Sequence, residues 1–334
     1  MKITRHFSWA ILFCLLSPIL SPASARTVQD FDADWLFSKG NFAAAMMPAF
    51  DDSRWRTVTL PHDWSSDGPF TDDWGSGNGY APGGIGWYRK HFQLDTNQAN
   101  ASVTLEFDGV YDYSEVWING KYAGGRPYGF SSFQCDLAPF VKHDGGENTV
   151  AVRVDHSRFA DSRYYTGSGI YRNVRLVIAD KLHIGHWGVS ITAPKVSSDS
   201  ATVHVETTIE NTSTSTQSFT LETDILAPDG QTAGTSQTTA NIYGIGTLVS
   251  DPARPISLPQ ELAIPTPQLW NSDNPKLYRA ITKIISNGTI LDQVTNTFGI
   301  REFHFDADKG FFLNGKSMKI KGVCLHHDAG SLGA

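Results

Sequence analysis

His326, His327 and Asp328 follow directly on the apolar run Val323-Cys324-Leu325. Imidazole and carboxylate groups placed behind a strand are side chains that exchange protons, hold hydroxyl groups or ligate metals. Neighbours on an extended segment point to opposite faces, so His326 and His327 cannot easily share one ligand. That counts against a metal and in favour of hydrogen bonding. A structural turn at the strand end is a competing reading, stronger for His327 than for His326. The surrounding residues predict the platform. Phe311, Phe312 and Leu313 run apolar into Asn314-Gly315, a strong tight-turn dipeptide, and Met318, Ile320 and Val323 begin a second strand.

The elements ahead of this group are strands. Trp87 to Phe92 alternates as a half-buried strand, and Val103, Leu105 and Phe107 mark another. Glu115 to Ile118, Asn119-Gly120, then Lys121 to Ala123 reads as a hairpin. Val150, Val152 and Val154 alternate, as do Val174, Leu176 and Ile178. Short strands at this spacing predict an antiparallel sandwich. Near Asp180 the composition shifts toward Ser and Thr. Val203 to Thr207 and Phe219 to Glu222 then alternate in what reads as a second, immunoglobulin-like sandwich closing near Thr297. The glycine-rich run Trp74 to Gly86 lacks phosphate-loop spacing. It reads as a flexible surface loop, with a loop lining a sugar pocket as the sharper alternative.

The chain has 334 residues, 40% hydrophobic and 18% charged, which suits a globular protein with a sizeable core. A net charge of −7 without a long basic run argues against nucleic acid. Nine Trp and eleven Tyr exceed what a core usually needs, and flat rings suit sugar faces as well as cores. Lys2 and Arg5, the apolar run Trp9 to Leu16 and the small residues Ala23-Ser24-Ala25 form a secretory signal, cut after Ala25. This predicts an exported protein, periplasmic or secreted, without a membrane contact after cleavage. Cys14 leaves with the signal, and Cys135 and Cys324 read as two buried free thiols.

Four stretches taken together resemble glycoside hydrolase family 2, the β-galactosidase, β-glucuronidase and β-mannosidase family. They are FDDSRWRTVTLPHDW (50–64), GIGWYRKHF (84–92), GSGIYRNVRL (167–176), and PQLWNSDNPKLY (267–278) followed by FGIREFHF and LNGKSMKIKGVCLHHD. The resemblance implies a mainly β fold: a signal peptide (1–25), a jelly-roll-like sugar-binding sandwich (26–181), an immunoglobulin-like sandwich (182–299), and the start of a truncated (β/α)8 barrel (300–334). A whole barrel takes roughly 250 residues, so the expectation is the front of a larger enzyme.

Family members retain configuration with two glutamates. The acid/base glutamate follows an asparagine in the family, and Asn-Glu occurs nowhere here. Both catalytic glutamates are therefore expected beyond Ala334, and this chain alone is expected to be inactive. Glu106 and Glu302 read as ordinary surface or edge charges. The resemblance assigns sugar contacts to His326 and Asp328, and to a loop aspartate before Ser168. Asp161 fits that role, although in some relatives the acid sits closer to the motif, where Arg163 stands. Arg163 reads equally as a sugar contact or as a domain-interface ion pair. The implied parent is an exported retaining exo-β-glycosidase, β-galactosidase-like first. β-Mannosidase, β-glucuronidase and a non-catalytic carbohydrate-binding sandwich are the alternatives. Its partner would be a β-linked oligosaccharide or glycoside. No cofactor is visible; a divalent or sodium ion in the full-length enzyme and a homo-oligomer are left open.

Overall fold

The computed structural model describes residues 26–75, 79–98, 100–158, 166–246 and 255–324. The first region runs through β1 (Arg26–Asp30), β2 (Trp35–Lys39), β3 (Arg56–Val58), β4 (Gly84–Phe92), β5 (Ser102–Phe107), β6 (Ser114–Ile118), β7 (Lys121–Arg126), β8 (Phe133–Asp136), β9 (Asn148–His156) and β10 (Val174–Ala179). A four-stranded sheet of order β1-β10-β5-β8 packs on a six-stranded sheet of order β3-β2-β4-β9-β6-β7. The alternating residues foreseen from sequence supply the core between them: Leu105 and Leu176 from one sheet, Tyr88, Val116 and Val152 from the other. Asn119 and Gly120 take the left-handed conformation between β6 and β7, as the hairpin requires (φ 50° and 78°).

The middle of the six-stranded sheet is buried on both faces. A short 3-10 turn, Ala43–Met46, and the rings of Phe42, Phe50 and Trp55 cover its outer side over Trp87 and Ala151. Arg89 rises from β4 into that cover and is fully buried. Its Nε donates to Asp52 Oδ2 at 2.6 Å, and its Nη atoms donate to the carbonyls of Ala45, Met47 and Pro48. A guanidinium has enough donors to hold a turn and a carboxylate at once, which is how this charge tolerates burial.

The second sandwich comprises β11 (Leu182–Val196), β12 (Ser200–Asn211), β13 (Gln217–Leu226), β14 (Thr232–Ile242), β15 (Ile256–Pro265), β16 (Tyr278–Ser286) and β17 (Thr289–Phe298). Sheets of order β11-β12-β15 and β14-β13-β16-β17 face each other across Val203, Val205, Ile225, Leu262 and Ile284. The two sandwiches are joined by polar contacts. Arg26 reaches both carboxylate oxygens of the buried Asp292, at 2.9 and 2.7 Å, and Asp292 also accepts from Ile184 N–H. Glu106 Oε1 lies 2.6 Å from His186 Nδ1 in β11. Glu106 is thus a junction residue rather than an ordinary edge charge, a role that depends on a partner 80 residues away.

A small sheet follows, of β18 (Phe303–Asp306), β19 (Gly310–Leu313) and β20 (Lys316–Ser317), with Asn314-Gly315 in the expected tight turn (φ 48° and 74°). The strand expected from Met318 is not formed: pairing ends at Ser317, and residues 318–324 have no partner strand among the described residues. Val323 is 93% exposed there, and Cys324 is exposed too, in contrast to the expected buried thiol. Cys135 is buried as foreseen, and burial pushes its thiol up to about 12.

Candidate functional site

Asp161, Arg163, His326, His327 and Asp328 lie outside the described residues. The geometry on either side of the first pair is described, and it forms one end of the first sandwich. β9 ends at His156, and the chain is again described from Thr166 onward into the GSGIYRNVRL motif.

Both flanks are fixed by a buried polar network. Ser168 Oγ lies 2.6 Å from His156 Nδ1 and 2.5 Å from Ser65 Oγ. Asp63 Oδ1 accepts from Ser168 N–H at 2.7 Å and from Ser65 N–H at 2.9 Å, and Ser65 Oγ donates to Pro82 O. One carboxylate therefore ties the LPHDW stretch to the GSG stretch, 105 residues apart. Backbone bonds reinforce it, from His62 N–H to Ile170 O and from Trp64 N–H to Ser168 O. The sequence motif is explained by space. Gly169 has φ 119°, and a Cβ there would lie 2.2 Å from Tyr88 Oη. Only glycine fits that approach.

Further groups converge on the same end. Tyr111 exchanges backbone bonds with Gly169, and Tyr171 Oη donates to Gly129 O. A Cβ on Gly129 would lie 2.1 Å from the Tyr111 ring, so that loop too is seated against its neighbour. Tyr111 packs on Phe130 and Phe130 on Tyr128, leaving Tyr128 61% exposed. Arg158, just before the segment that carries Asp161, stacks 4.1 Å from the Tyr113 ring and donates to its hydroxyl. Tyr113 holds a left-handed backbone, φ 43°, unusual for an aromatic residue. Burial, then the charge of Arg56, lowers the His62 pKa to about 4, so His62 is neutral at ordinary pH. Its Nδ1 meets Tyr88 Oη at 2.8 Å.

Exposed rings and hydrogen-bonding groups on a rigid support can stack on and orient a sugar. Among the described residues no cluster of His, Cys, Asp and Glu is arranged to hold a metal. The second half of the glycine-rich run is a correction to the surface-loop reading: Ala81, Pro82 and Gly83 are buried, and the Pro82 and Gly83 carbonyls accept bonds from Ser65 and Trp64. The two motifs are legible in the sequence, but the network joining them and the Arg158–Tyr113 pair were missed. The signal available was the pairing of LPHDW with GSG.

Comparison with known proteins adds family evidence. Residues 29–179 match "Glycosyl hydrolases family 2, sugar binding domain", and residues 182–301 match "Glycosyl hydrolases family 2". The chain is 41% identical over 323 residues to "Beta-galactosidase BoGH2A" of Bacteroides ovatus, covering 96% of this chain and 36% of that one. A "Putative beta-glucuronidase" of Formosa agariphila is 33% identical, with 97% of this chain and 30% of that one covered. A crystal structure of a glycosyl hydrolase family 2 member from Bacteroides cellulosilyticus superposes with a TM-score of 0.84 at 38% identity, covering 92% of this chain and 39% of that one. The chain thus spans about a third of the length of the curated relatives it matches.

Proposed function

Because this chain belongs to family 2 of the glycosyl hydrolases, we propose that it supplies the two leading sandwiches of an exported enzyme that removes terminal β-linked sugars with retention, β-galactosides first. The observation that carries this is the 41% identity to a β-galactosidase across nearly the whole chain. β-Glucuronidase is the second reading, favoured by the names of the Formosa relatives.

In such an enzyme one carboxyl group protonates the leaving oxygen and a second, about 5 Å away, attacks the anomeric carbon. We assign both to a barrel beyond Ala334. The exposure of Phe303 (54%) and Phe305 (69%) on the β18–β20 sheet, and of Val323 beyond it, supports a further body of protein packed there. This chain's own part is to bind and orient. Asp161 and Arg163, in the segment between His156 and Ser168, offer acceptors and donors to sugar hydroxyls, and His326 and Asp328 do so from the segment after Cys324. A hydrogen bond that tightens as the ring flattens stabilises the transition state more than the ground state.

The test compares this chain with a polypeptide extended through the barrel, on nitrophenyl β-galactoside and nitrophenyl β-glucuronide. The expected result is turnover of the galactoside by the extended protein and none by residues 1–334. Turnover of the glucuronide alone selects the second reading. Turnover by the shorter chain would overturn the placement of the catalytic pair, and binding without turnover by either would favour a carbohydrate-binding role. Export rests on the leader sequence before Arg26. Intact mass of the exported protein is expected to begin at Arg26, and a retained Met1 would reject the cleavage.

A further inference from the structure

A cavity of about 300 Å3 opens at the edge of the six-stranded sheet, beside β2 and β3. That volume sits at the small end of the roughly 300–1,000 Å3 typical of ligand pockets. Lys39, Arg54, Arg56 and Asp67 supply its charged walls, and Trp55 and Trp64 line it with indole. Asp67 is already engaged: its Oδ2 accepts from Arg56 Nη2 at 2.6 Å, and Arg56 Nη2 also meets His62 Nε2 at 2.9 Å. Neither Lys39 nor Arg54 forms an ion pair among the described residues. Lys39 Nζ stands instead 5.1 Å from the centre of the Trp74 ring. Partial burial pulls its pKa below the ordinary lysine value, with Asp67 acting in the opposite sense.

Trp55 is half-buried and braced by Phe50 and Phe42, at 5.4 and 5.7 Å between ring centres. A braced indole keeps its orientation without a ligand, which lowers the entropy cost of stacking. With Lys39, Arg54 and Arg56 against the single carboxylate of Asp67, the lining beside it carries more positive than negative groups. Such a hollow complements a ligand with an anionic group and a flat apolar face together. A neutral sugar would cover the cations without offering a counter-charge, and covering a charge without a partner is costly. A free inorganic anion would satisfy the cations and leave the indole unused.

We propose that this pocket binds a uronate unit of an acidic saccharide. Lys39 and Arg54 hold the anionic group and Trp55 stacks against the ring. Guanidinium and carboxylate oxygens pair in a fork geometry that ammonium cannot copy. The inference goes beyond the glycosidase reading and stands without it, because it concerns binding and needs no catalytic group.

The experiment is calorimetric titration of the full chain with tetragalacturonate, with a neutral galacto-oligosaccharide of the same length, and with sodium sulfate. Saturable binding of tetragalacturonate is expected, together with no comparable heat from the neutral sugar or from sulfate. Raising salt from about 0.05 M to about 0.5 M should weaken it, since exposed charges are screened. Lys39→Gln with Arg54→Gln should weaken it by about tenfold or more, with only a small change in melting temperature, since both residues are largely exposed and what is given up is the contact of Lys39 with the Trp74 ring. A Trp55→Phe variant should weaken the saccharide and leave any sulfate binding untouched. Equal affinity for neutral and acidic sugars, indifference to the double substitution, binding of sulfate as tight as that of the saccharide, or no binding at all would each overturn the proposal. Turnover of nitrophenyl glycosides has no bearing on these outcomes, so failure here and failure of the glycosidase reading remain separable.

Discussion

Replacing Arg89 with methionine is expected to destabilise the first sandwich by about 3–5 kcal/mol, the usual cost of removing one partner from a buried charged pair. The side chain is fully buried and engages Asp52 and three backbone carbonyls of the 45–48 stretch. Methionine fills much of the volume and returns none of those bonds. The cover over Trp87 and Ala151 should then loosen, and the melting temperature should fall by on the order of 10 °C. Arg89→Lys keeps the charge and loses the fork, so it should recover part of the loss only. A pH series gives a second check. Burial pushes the Asp52 pKa upward, but hydrogen bonds from Arg89 and His91, with their charges, outweigh it and hold the carboxyl below its ordinary value. A depressed folded pKa contributes stability above the unfolded value, about 3.9, and loses it as pH falls through the folded value. The gap between parent and Arg89→Met should therefore narrow below about pH 4. An unchanged melting temperature at neutral pH would show that the 43–55 cover holds without this pair.

That residue also marks where sequence reading stops. Alternation in Trp87 to Phe92 announced a half-buried strand, and β4 is there. Alternation cannot report that the other face is covered by a segment 37 residues upstream, from Asp52 to Arg89. β9 makes the same point: Val150, Val152 and Val154 were legible, while Ala151 is buried under a turn that no local pattern announces. Turns set by backbone chemistry, Asn119-Gly120 and Asn314-Gly315, were read correctly because two residues suffice to dictate them. Glu106 and the Ala81–Gly83 stretch were misread because their environments are made by distant partners, His186 for one and Ser65 with Trp64 for the other. The strand beyond Met318 failed for the complementary reason. Its apolar residues are present, but a strand needs a neighbour to take its backbone bonds, and beyond the one from Met318 N–H to Phe311 O the described residues supply no partner strand. The proposed sugar contacts came from family resemblance, not from a local pattern, and all four lie outside the described residues. What the structure adds is the frame that ties His156 and Ser168, the described residues on either side of the 159–165 segment.

Asp63→Ala is the substitution that tests that frame. Asp63 is 8% exposed, and its Oδ1 accepts from both Ser65 N–H and Ser168 N–H. Alanine leaves two buried donors without that acceptor, at roughly 1–3 kcal/mol each, so a stability loss of about 2–6 kcal/mol is expected. The near-isosteric change Asp63→Asn retains an amide oxygen for the same two donors and should restore most of the stability. The functional consequence rests on where Ser168 sits. It closes the segment that leaves β9 at His156, and Asp161 and Arg163 lie between those two residues. If that segment reaches the bound sugar, freeing its anchor should misplace the contact, and a displacement of about 1 Å can cost roughly 100-fold in rate. In the enzyme extended through its barrel, kcat/KM for nitrophenyl β-galactoside should therefore fall by about that factor in Asp63→Ala. It should remain near parent in Asp63→Asn, both measured well below the melting temperature of each variant. Temperature separates the two effects, since a protein that is merely less stable works normally while it is folded. Should Asp63→Ala melt early yet keep parental kcat/KM in the cold, the network would be a packing device alone, and the 159–165 segment would lose its claim to touch the sugar.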